Sequence, residues 1–415
     1  MRLLYLEIKR MLKVKRIRIV LILAVCLSIL LAYLPVTFES VSYTEETGNI
    51  VELKGIKAVR YKKNLQKDIA GVVTDQKVRM AVEECQKVFH EYGVRDYYEL
   101  PDEIYVKRIL PVIPLVKGVR EVFANPSTGM APNILEIDAA EIEDYYARCE
   151  EWVASLMEIE QKDNPAAQDF AVRTYHNVEK PYQYYPGTSR NAMDYQILLA
   201  LGILILCTMI STPVFSSDYQ TGANDIFRTT KKGGIYYGNI KIAAGILVCS
   251  GVYLACMALY LIISNGLFGW ECTKTSVQMV YSIVNLPDFN IGELQLAVMF
   301  GGLLSVWATM GIALYFSSIS RNTVVSLSLG FVLCILPLFV YVIIPDKVGL
   351  WMNCILPSGG VCLQTSYLFQ LIDFQFLNIG GLSVWVPYAM VAFAIVEIPL
   401  FLVVTIRCYL NYKVS

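Results

Sequence analysis

The chain has 415 residues, of which 55% are hydrophobic and only 17% are charged, and 35 basic side chains nearly balance 36 acidic ones. Ordinary soluble proteins carry about 25% charged residues, so this composition excludes a disordered chain and argues against a soluble enzyme. The near-neutral charge predicts no nucleic-acid partner. The eleven cysteines include no CxxC pair of the kind that indicates a zinc site or a disulfide scaffold.

Six apolar stretches are long enough to cross a bilayer, whose hydrocarbon core of about 30 Å requires about 20 helical residues. The first follows basic residues as a signal peptide would, but it lacks a small-residue cleavage site, which predicts an uncleaved anchor. The predicted fold class is an all-α integral membrane protein with six transmembrane helices. The predicted spans cover about residues 19–38, 195–214, 240–264, 294–316, 323–344 and 386–406.

Basic residues near the span ends predict the orientation, because cytoplasmic loops are enriched in Lys and Arg. Residues 1–18, predicted to form a cytoplasmic interfacial helix, carry seven basic residues against the single Glu7. The loop after the second span, the turn at Arg321 and the C-terminus are also basic. Both termini are therefore predicted to be cytoplasmic, in a multi-pass protein of the cell membrane that is surrounded by membrane lipid.

The long segment between the first two spans, residues 39–193, is predicted to be a large helical extracytoplasmic domain. Apolar residues recur at helical spacing in residues 75–92 and 138–159, and Pro165 favours a further helix start. Residues 194–415 are assigned to a five-span transmembrane region. Within that region, Pro and Gly interrupt an apolar run in residues 349–385, which predicts a re-entrant segment before the sixth span.

Two features of the extracytoplasmic segment leave alternatives open. The run from Thr174 to Gly187 is dense in tyrosine, which suits a recognition surface, a packed core or an anchor at the membrane interface. Cys85 and Cys149 lie on two predicted helices. They would form a disulfide if this side of the membrane is oxidising, or remain reduced thiols in a core.

The sequence contains no recognised catalytic motif. GxxxxGK[ST], HExxH and GxSxG are all missing, and His90 and His176 are the only histidines. The chain is therefore predicted to have no catalytic residue, no metal site and no nucleotide site of its own. Energy for any work would come from another subunit.

The cytoplasmic loop, residues 214–239, is polar but carries the apolar residues Ile226 and Phe227 on a short helical stretch. Such a stretch is suited to lying along the membrane and docking into a groove on a soluble partner. The residues alone fit a solvated connector equally well.

Several motifs occur together on this six-span pattern. The basic N-terminal helix contains Glu7 in LEIKRML, and the second cytoplasmic turn contains Arg321 in SSISRN. Pro357 lies in ILPSGG before the last span. The cytoplasmic loop contributes Phe215, Asp218, Gly222, Thr229, Thr230, Lys232 and Lys241. In residues 1–38 and 195–415 the chain thus resembles the permease subunits of type-two ATP-binding-cassette exporters, with Asp218 in place of the usual Glu.

The resemblance implies a transmembrane permease that couples to a dimer of separate ATPase subunits and pairs with a second permease subunit, identical or related. ATP and Mg²⁺ would bind the partner ATPase, and this chain would hold no cofactor. The implied ATPase-coupling residues are Asp218, Gly222, Asp225, Phe227, Arg228, Thr229 and Lys232. A peptide, an antibiotic or another amphiphile is the expected substrate, and the alternatives are sodium extrusion or a non-transporting membrane sensor or scaffold.

Glu397 is an acidic residue in the middle of the sixth predicted span. An ionised acid near the bilayer centre costs about 2.5 kcal/mol or more, so it should face protein or water and find a partner. Glu397 is therefore a candidate for the translocation path, and a hydrogen bond between helices is the other reading.

Overall fold

The structure is a computed structural model that describes residues 2–44, 49–230, 233–344 and 346–411. Within these ranges, six helices are long and apolar enough to span a membrane, which confirms the predicted number. The amphipathic helix α1 (Arg2–Lys13) buries Glu7 and Met11 and leads directly into the first span, α2 (Lys15–Thr37). Apolar residues occur on all sides of α2, so the helix is not amphipathic, as expected of a helix in lipid.

Residues 39–193 form the interspan domain, which consists of short helices and two small antiparallel strand pairs. β1 pairs with β2, and β3 pairs with β4. Helix α4 follows the predicted range, with the Thr74 side chain capping its start and Gly93, at a φ of 65°, ending it. In chain order the elements are β1 (Ser40–Thr44), β2 (Ile50–Lys54), α3 (Ile56–Leu65), β3 (Gly71–Val72), α4 (Asp75–Tyr92), α5 (Asp102–Ile104), α6 (Ile113–Val122), α7 (Tyr145–Glu160), α8 (Pro165–His176) and β4 (Gln183–Tyr184).

The chain then forms the main helical bundle. The second span is the continuous pair α9 and α10, and α11 is a short helix between the second and third spans. The third, fourth and fifth spans are α12, α13 and α14. The bounds are α9 (Arg190–Ser211), α10 (Pro213–Gln220), α11 (Ala223–Arg228), α12 (Ile235–Phe268), α13 (Ile291–Ile319) and α14 (Thr323–Ile343).

Short elements precede the sixth span, α17. In the described part of residues 349–385, these are short helices and an antiparallel hairpin in which Phe376 pairs with Trp385. The hairpin turns at Gly380 and Gly381, whose φ values of 53° and 89° favour glycine. The bounds are α15 (Asp346–Ile355), α16 (Tyr367–Leu371), β5 (Phe376–Ile379), β6 (Leu382–Trp385) and α17 (Val386–Asn411).

Burial distinguishes inner from outer spans. The most apolar windows of the second and fourth spans are 72% and 61% buried, whereas those of the fifth and sixth are 33% and 22% buried. The second and fourth spans are therefore central. The fifth and sixth present broad apolar faces outward, which is suitable for contact with lipid or with another membrane subunit.

The interspan domain shares one hydrophobic core with loops from the rest of the chain. Val277, Ile283 and Leu286, between the third and fourth spans, pack into it, as does Trp385 of the hairpin. The predicted boundary at residue 194 therefore divides the sequence, but the parts of the chain on either side of it share one hydrophobic core. The domain, this loop and the hairpin form one continuous body at one end of the bundle.

The tyrosine-rich segment belongs to this core. Tyr175, Tyr182 and Tyr184 are at most 6% exposed. Tyr175 donates its hydroxyl to the Ile283 carbonyl at 2.9 Å, and Tyr184 donates to Gln66 Oε1 at 2.8 Å. The recognition-surface reading is wrong for these three tyrosines, because their rings fill the core and their hydroxyls bond within the protein.

Cys85 and Cys149 are separate, buried free thiols in the structure. Burial raises the pKa of each thiol to about 12, since the thiolate is poorly solvated there. Of the two alternatives for Cys85 and Cys149, a disulfide or reduced core thiols, the structure shows reduced core thiols.

A glycine contact between the third and fourth spans gives a first prediction. A Cβ on Gly302 would lie 2.1 Å from the hydroxyl oxygen of Tyr253, a fully buried side chain whose hydroxyl has no partner in the described residues. We expect Gly302→Ala to lower the thermal unfolding midpoint, because the buried ring has little room to move. Adding Tyr253→Phe should restore most of the loss, since it removes the clashing oxygen.

The measurement is thermal unfolding of the purified variants in nanodiscs. Tyr253→Phe alone is the control, and it should be neutral or stabilising because it removes an unpartnered buried hydroxyl. A Gly302→Ala protein as stable as the parent, or a double variant as unstable as Gly302→Ala, would contradict this packing.

Candidate functional site

The candidate site lies at the bundle end opposite the interspan domain, where the second span leads into α11. The second span continues as helix to Gln220, six residues beyond its predicted end. Gly222, at a φ of 71°, then breaks the helix, and α11 follows. Because a left-handed conformation is unfavourable for other residues, Gly222 sets the direction of α11.

The two apolar residues of α11 face different ways. The Ile226 side chain is 70% exposed. Phe227 turns inward, with its ring 4.9 Å from that of Tyr237 and 6.0 Å from the Arg10 guanidinium. Of the two apolar residues that the sequence offers for docking, Ile226 is the one exposed to a partner.

Behind α11 lies a group of four charged side chains, which we call the ion cluster. Glu7, Asp218 and Lys241 are buried, and Arg10, whose side chain is 41% exposed, lies at the edge. Asp218 and Lys241 are 6% and 1% exposed and are joined through Lys241 Nζ and Asp218 Oδ2. Arg10 bonds Asp218 Oδ1 at 3.2 Å and Glu7 Oε1 at 2.6 Å. Two acids and two bases balance, which is the condition under which buried charges are tolerated.

The ion cluster joins three helices that are distant in sequence. Glu7 and Arg10 come from α1, Asp218 from the end of the second span and Lys241 from the third. Burial disfavours the charged form of Arg10, but Asp218 and Glu7 outweigh this and raise its pKa. Since the guanidinium stays charged, Arg10 holds α1 to the second span, and Asp218 in turn links the second span to Lys241 of the third.

The other predicted coupling residues have different surroundings. Arg228 Nη2 donates to the Leu410 carbonyl at 2.8 Å, which ties α11 to the sixth span. Asp225 and Thr229 are exposed, and the Thr229 hydroxyl donates to the nearby Ile226 carbonyl at 2.8 Å. Lys232 lies outside the described residues. The structure thus brings Asp218 and Arg228 into interhelical contacts and leaves Asp225 and Thr229 at the surface.

The predicted position of Asp218 in a polar loop beyond the second span is wrong. Asp218 belongs to the continuous helix Arg190–Gln220 and its carboxylate is enclosed. A signal for this was present in the sequence: Lys241 lies just inside an apolar span, where a lysine requires an acidic partner. The sequence could not identify that partner, because candidate acids occur along the whole chain.

Glu397 lies on the sixth span and is half-buried. It makes no hydrogen bond or ion pair in the described part of the chain, although Tyr367 is within electrostatic range. Its neighbour Phe401 packs toward Gly311 of the fourth span, whereas Val396 is 63% exposed. Glu397 therefore lies at the border between the packed and the outward faces of α17, without the interhelical hydrogen bond that was one of its two predicted roles.

The site consists of an exposed apolar side chain on a short helix that a hydrogen bond and aromatic contacts hold against α1, α12 and α17. Among residues 2–44, 49–230, 233–344 and 346–411, no group of His, Cys, Asp and Glu side chains is arranged to hold a metal ion. Comparisons with protein-family models, with curated proteins and with solved structures find no match for this chain.

Proposed function

We propose that this chain is the membrane-spanning permease subunit of an ATP-driven exporter of the type-two ATP-binding-cassette kind. The observation that carries the proposal is the exposed Ile226 on α11, a helix at the bundle end that is fastened to the spans behind it. Two of the motifs that resemble those of such permeases, the basic helix with Glu7 and the loop with Asp218, occur in this same region. ATP and Mg²⁺ would bind a separate ATPase subunit, and this chain would form the translocation path.

The fastening explains how a partner could move the spans. A force applied to α11 reaches the sixth span through the Arg228–Leu410 hydrogen bond, the third span through the contact of Phe227 with Tyr237, and α1 through the contact of Phe227 with Arg10. A flexible connector would absorb that force, whereas a helix held against its neighbours by such contacts transmits it. Two such chains, identical or related, would each present an α11 to one member of an ATPase dimer.

In this proposal α1, α11 and the C-terminus are cytoplasmic, because these segments carry the basic residues. The interspan domain would then be extracytoplasmic, and residues 349–385 would form a re-entrant segment on the same side of the cell membrane. A peptide, antibiotic or other amphiphile is the proposed cargo. Sodium extrusion is the alternative within transport, and Glu397 would line either route.

Cysteine labelling tests the orientation. We expect a membrane-impermeant thiol reagent to label Tyr98→Cys in intact cells, because Tyr98 is 96% exposed on the interspan domain. Asp225→Cys on α11 should react only after the cells are permeabilised. Both variants would carry Cys26→Ser and Cys408→Ser, since these two native thiols are not buried. Labelling of the opposite residue in intact cells would overturn the orientation.

Replacement of Ile226 tests the ATPase proposal. We expect Ile226→Asp to weaken binding of a P-loop ATPase about tenfold or more, since truncating a central interface residue costs about 2 kcal/mol or more. The tagged chain is purified from its native host, and retained ATPase subunit and ATP hydrolysis are measured together. The thermal unfolding midpoint should not change, because the side chain is already in solvent.

Ile50→Asp is the matched control, because Ile50 is 76% exposed but lies in the interspan domain at the opposite end. It should leave both ATPase retention and hydrolysis unchanged. If no P-loop ATPase accompanies the parent chain, a sensor or scaffold is the better function. If one does and Ile226→Asp retains it fully, α11 is only a connector.

A further inference from the structure

A separate cavity lies among the short elements that precede the sixth span, far from the ion cluster. Its volume is about 590 Å³, within the usual range of about 300–1,000 Å³ for small-molecule sites. The end of the fifth span, α15, α16 and the start of α17 form its walls. Cys354, Phe369, Val386 and Met390 give these walls an apolar part.

Two buried amide side chains in these walls lack hydrogen bonds to their oxygens. Asn353 and Gln370 are each 6% exposed, and neither Asn353 Oδ1 nor Gln370 Oε1 accepts a hydrogen bond from a described residue. Gln370 Nε2 donates to the Gln364 carbonyl at 3.3 Å, so the amide is oriented with its oxygen unused. A buried acceptor without a hydrogen bond costs about 1–3 kcal/mol. A ligand that donates a hydrogen bond to both amide oxygens would therefore be favoured.

A carboxylate completes the polar wall. Asp373 lines the same cavity and makes no ion pair with a described residue, although its Oδ1 accepts the Phe374 amide hydrogen at 2.8 Å. Burial raises the pKa of Asp373 against the opposing effect of hydrogen bonds from Phe374 and Gln375. Lys347 also borders the cavity, but its side chain is exposed and its charge is solvated.

We propose that this cavity binds a protonated primary amine that carries a small apolar body. An ammonium group has three N–H donors and no acceptor, which matches two amide oxygens and a carboxylate. The apolar wall then takes the hydrocarbon part of the ligand. A hard metal cation fits less well, because Ca²⁺ takes six to eight oxygen ligands and the two unpartnered amide oxygens and the Asp373 carboxylate together supply at most four.

The test is calorimetric titration of the full chain in nanodiscs with hexylammonium, after subtraction of the heat for empty nanodiscs. Three probes with the same alkyl chain length separate the contributions of the charge and of the N–H donors to binding. 1-Hexanol lacks the charge, hexyltrimethylammonium keeps the charge but has no N–H donor, and hexanoate reverses the charge. We expect hexylammonium to bind at least tenfold more tightly than each of them.

The variant Asn353→Ala/Gln370→Ala is expected to weaken hexylammonium binding tenfold or more and to leave 1-hexanol binding nearly unchanged. Gln364→Ala is the matched control, because it removes an exposed amide from the rim of the same cavity and should bind as the parent does. Asp373→Asn keeps the shape and removes the charge, so it gives the same test if the alanine variant does not fold.

Equal affinity for hexylammonium and 1-hexanol would overturn the proposal, as would parental affinity in the Asn353→Ala/Gln370→Ala variant. Displacement of hexylammonium by sodium chloride, but not by choline chloride at equal ionic strength, would identify a metal-ion site instead. None of these measurements involves an ATPase. The amine site therefore stands or falls independently of the proposed export function.

Discussion

Replacing Asp218 by alanine is expected to destabilise the folded protein by about 3–5 kcal/mol, the usual cost of removing one partner from a buried ion pair. Lys241, only 1% exposed, would lose the carboxylate that now accepts a hydrogen bond from its Nζ. Arg10 would lose its bond to Asp218 and retain Glu7. The thermal unfolding midpoint and the yield of monodisperse protein in nanodiscs are the measurements.

Two further variants separate charge from packing. Asp218→Leu/Lys241→Met should recover most of the stability, because replacing a whole buried pair by apolar residues of similar volume is often neutral. Asp225→Ala removes an exposed acid only seven residues away and should have little effect. A stable Asp218→Ala protein would show that the ion cluster contributes little to the fold. A double variant no better than the single one would show that the loss does not come from an unpaired Lys241.

Replacing Tyr182 by alanine should cost about 3–5 kcal/mol, because the fully buried ring would leave a cavity in the core of the interspan domain. Its backbone amide also donates to the Tyr146 hydroxyl at 3.1 Å, and its ring lies 5.0 Å from that of Tyr146. The loop between the third and fourth spans should loosen as well, since the Tyr182 hydroxyl donates to the Ile283 carbonyl at 3.3 Å.

Tyr182→Phe keeps the ring and removes the hydroxyl, so it should cost only about 1 kcal/mol. Tyr98→Ala is the matched control, because Tyr98 is 96% exposed in the same domain and should change nothing. Thermal unfolding and limited proteolysis of the loop at 269–290 give the two readouts. A Tyr182→Ala domain that melts as the parent does would contradict the core assignment.

The spans and several domain helices could be predicted because their causes are local. An apolar run of about 20 residues forms a helix in a bilayer, where every backbone polar group must be bonded within the segment. Pro165 starts α8 as predicted, and Gly93 ends α4. Helix α7 begins at Tyr145, later than its apolar spacing indicates, because Asp138 caps a separate short turn of residues 139–142.

The direction in which individual side chains point could be predicted less well from the sequence. Phe227 and Ile226 are adjacent on a short polar helix, and nothing local decides which of them faces solvent. Contacts with Tyr237, on another helix, turn Phe227 inward. In the same way, the sequence of the tyrosine-rich segment is compatible with a surface. Its tyrosine hydroxyls bond instead to the carbonyl of Ile283, which is more than 100 residues away in sequence.

By itself, the sequence determined the six apolar helices, the helical character of the interspan domain and the position of the polar loop that contains α11. Only the tertiary structure decided that Arg10 and the buried Asp218 and Lys241 meet in one ion cluster. The Arg10 and Asp218 side chains bond across 208 positions of the chain, and Asp218 and Lys241 across 23. Helix periodicity extends over a few turns, whereas such pairs depend on how whole helices pack, because a buried charge takes whichever opposite charge the packing brings within reach.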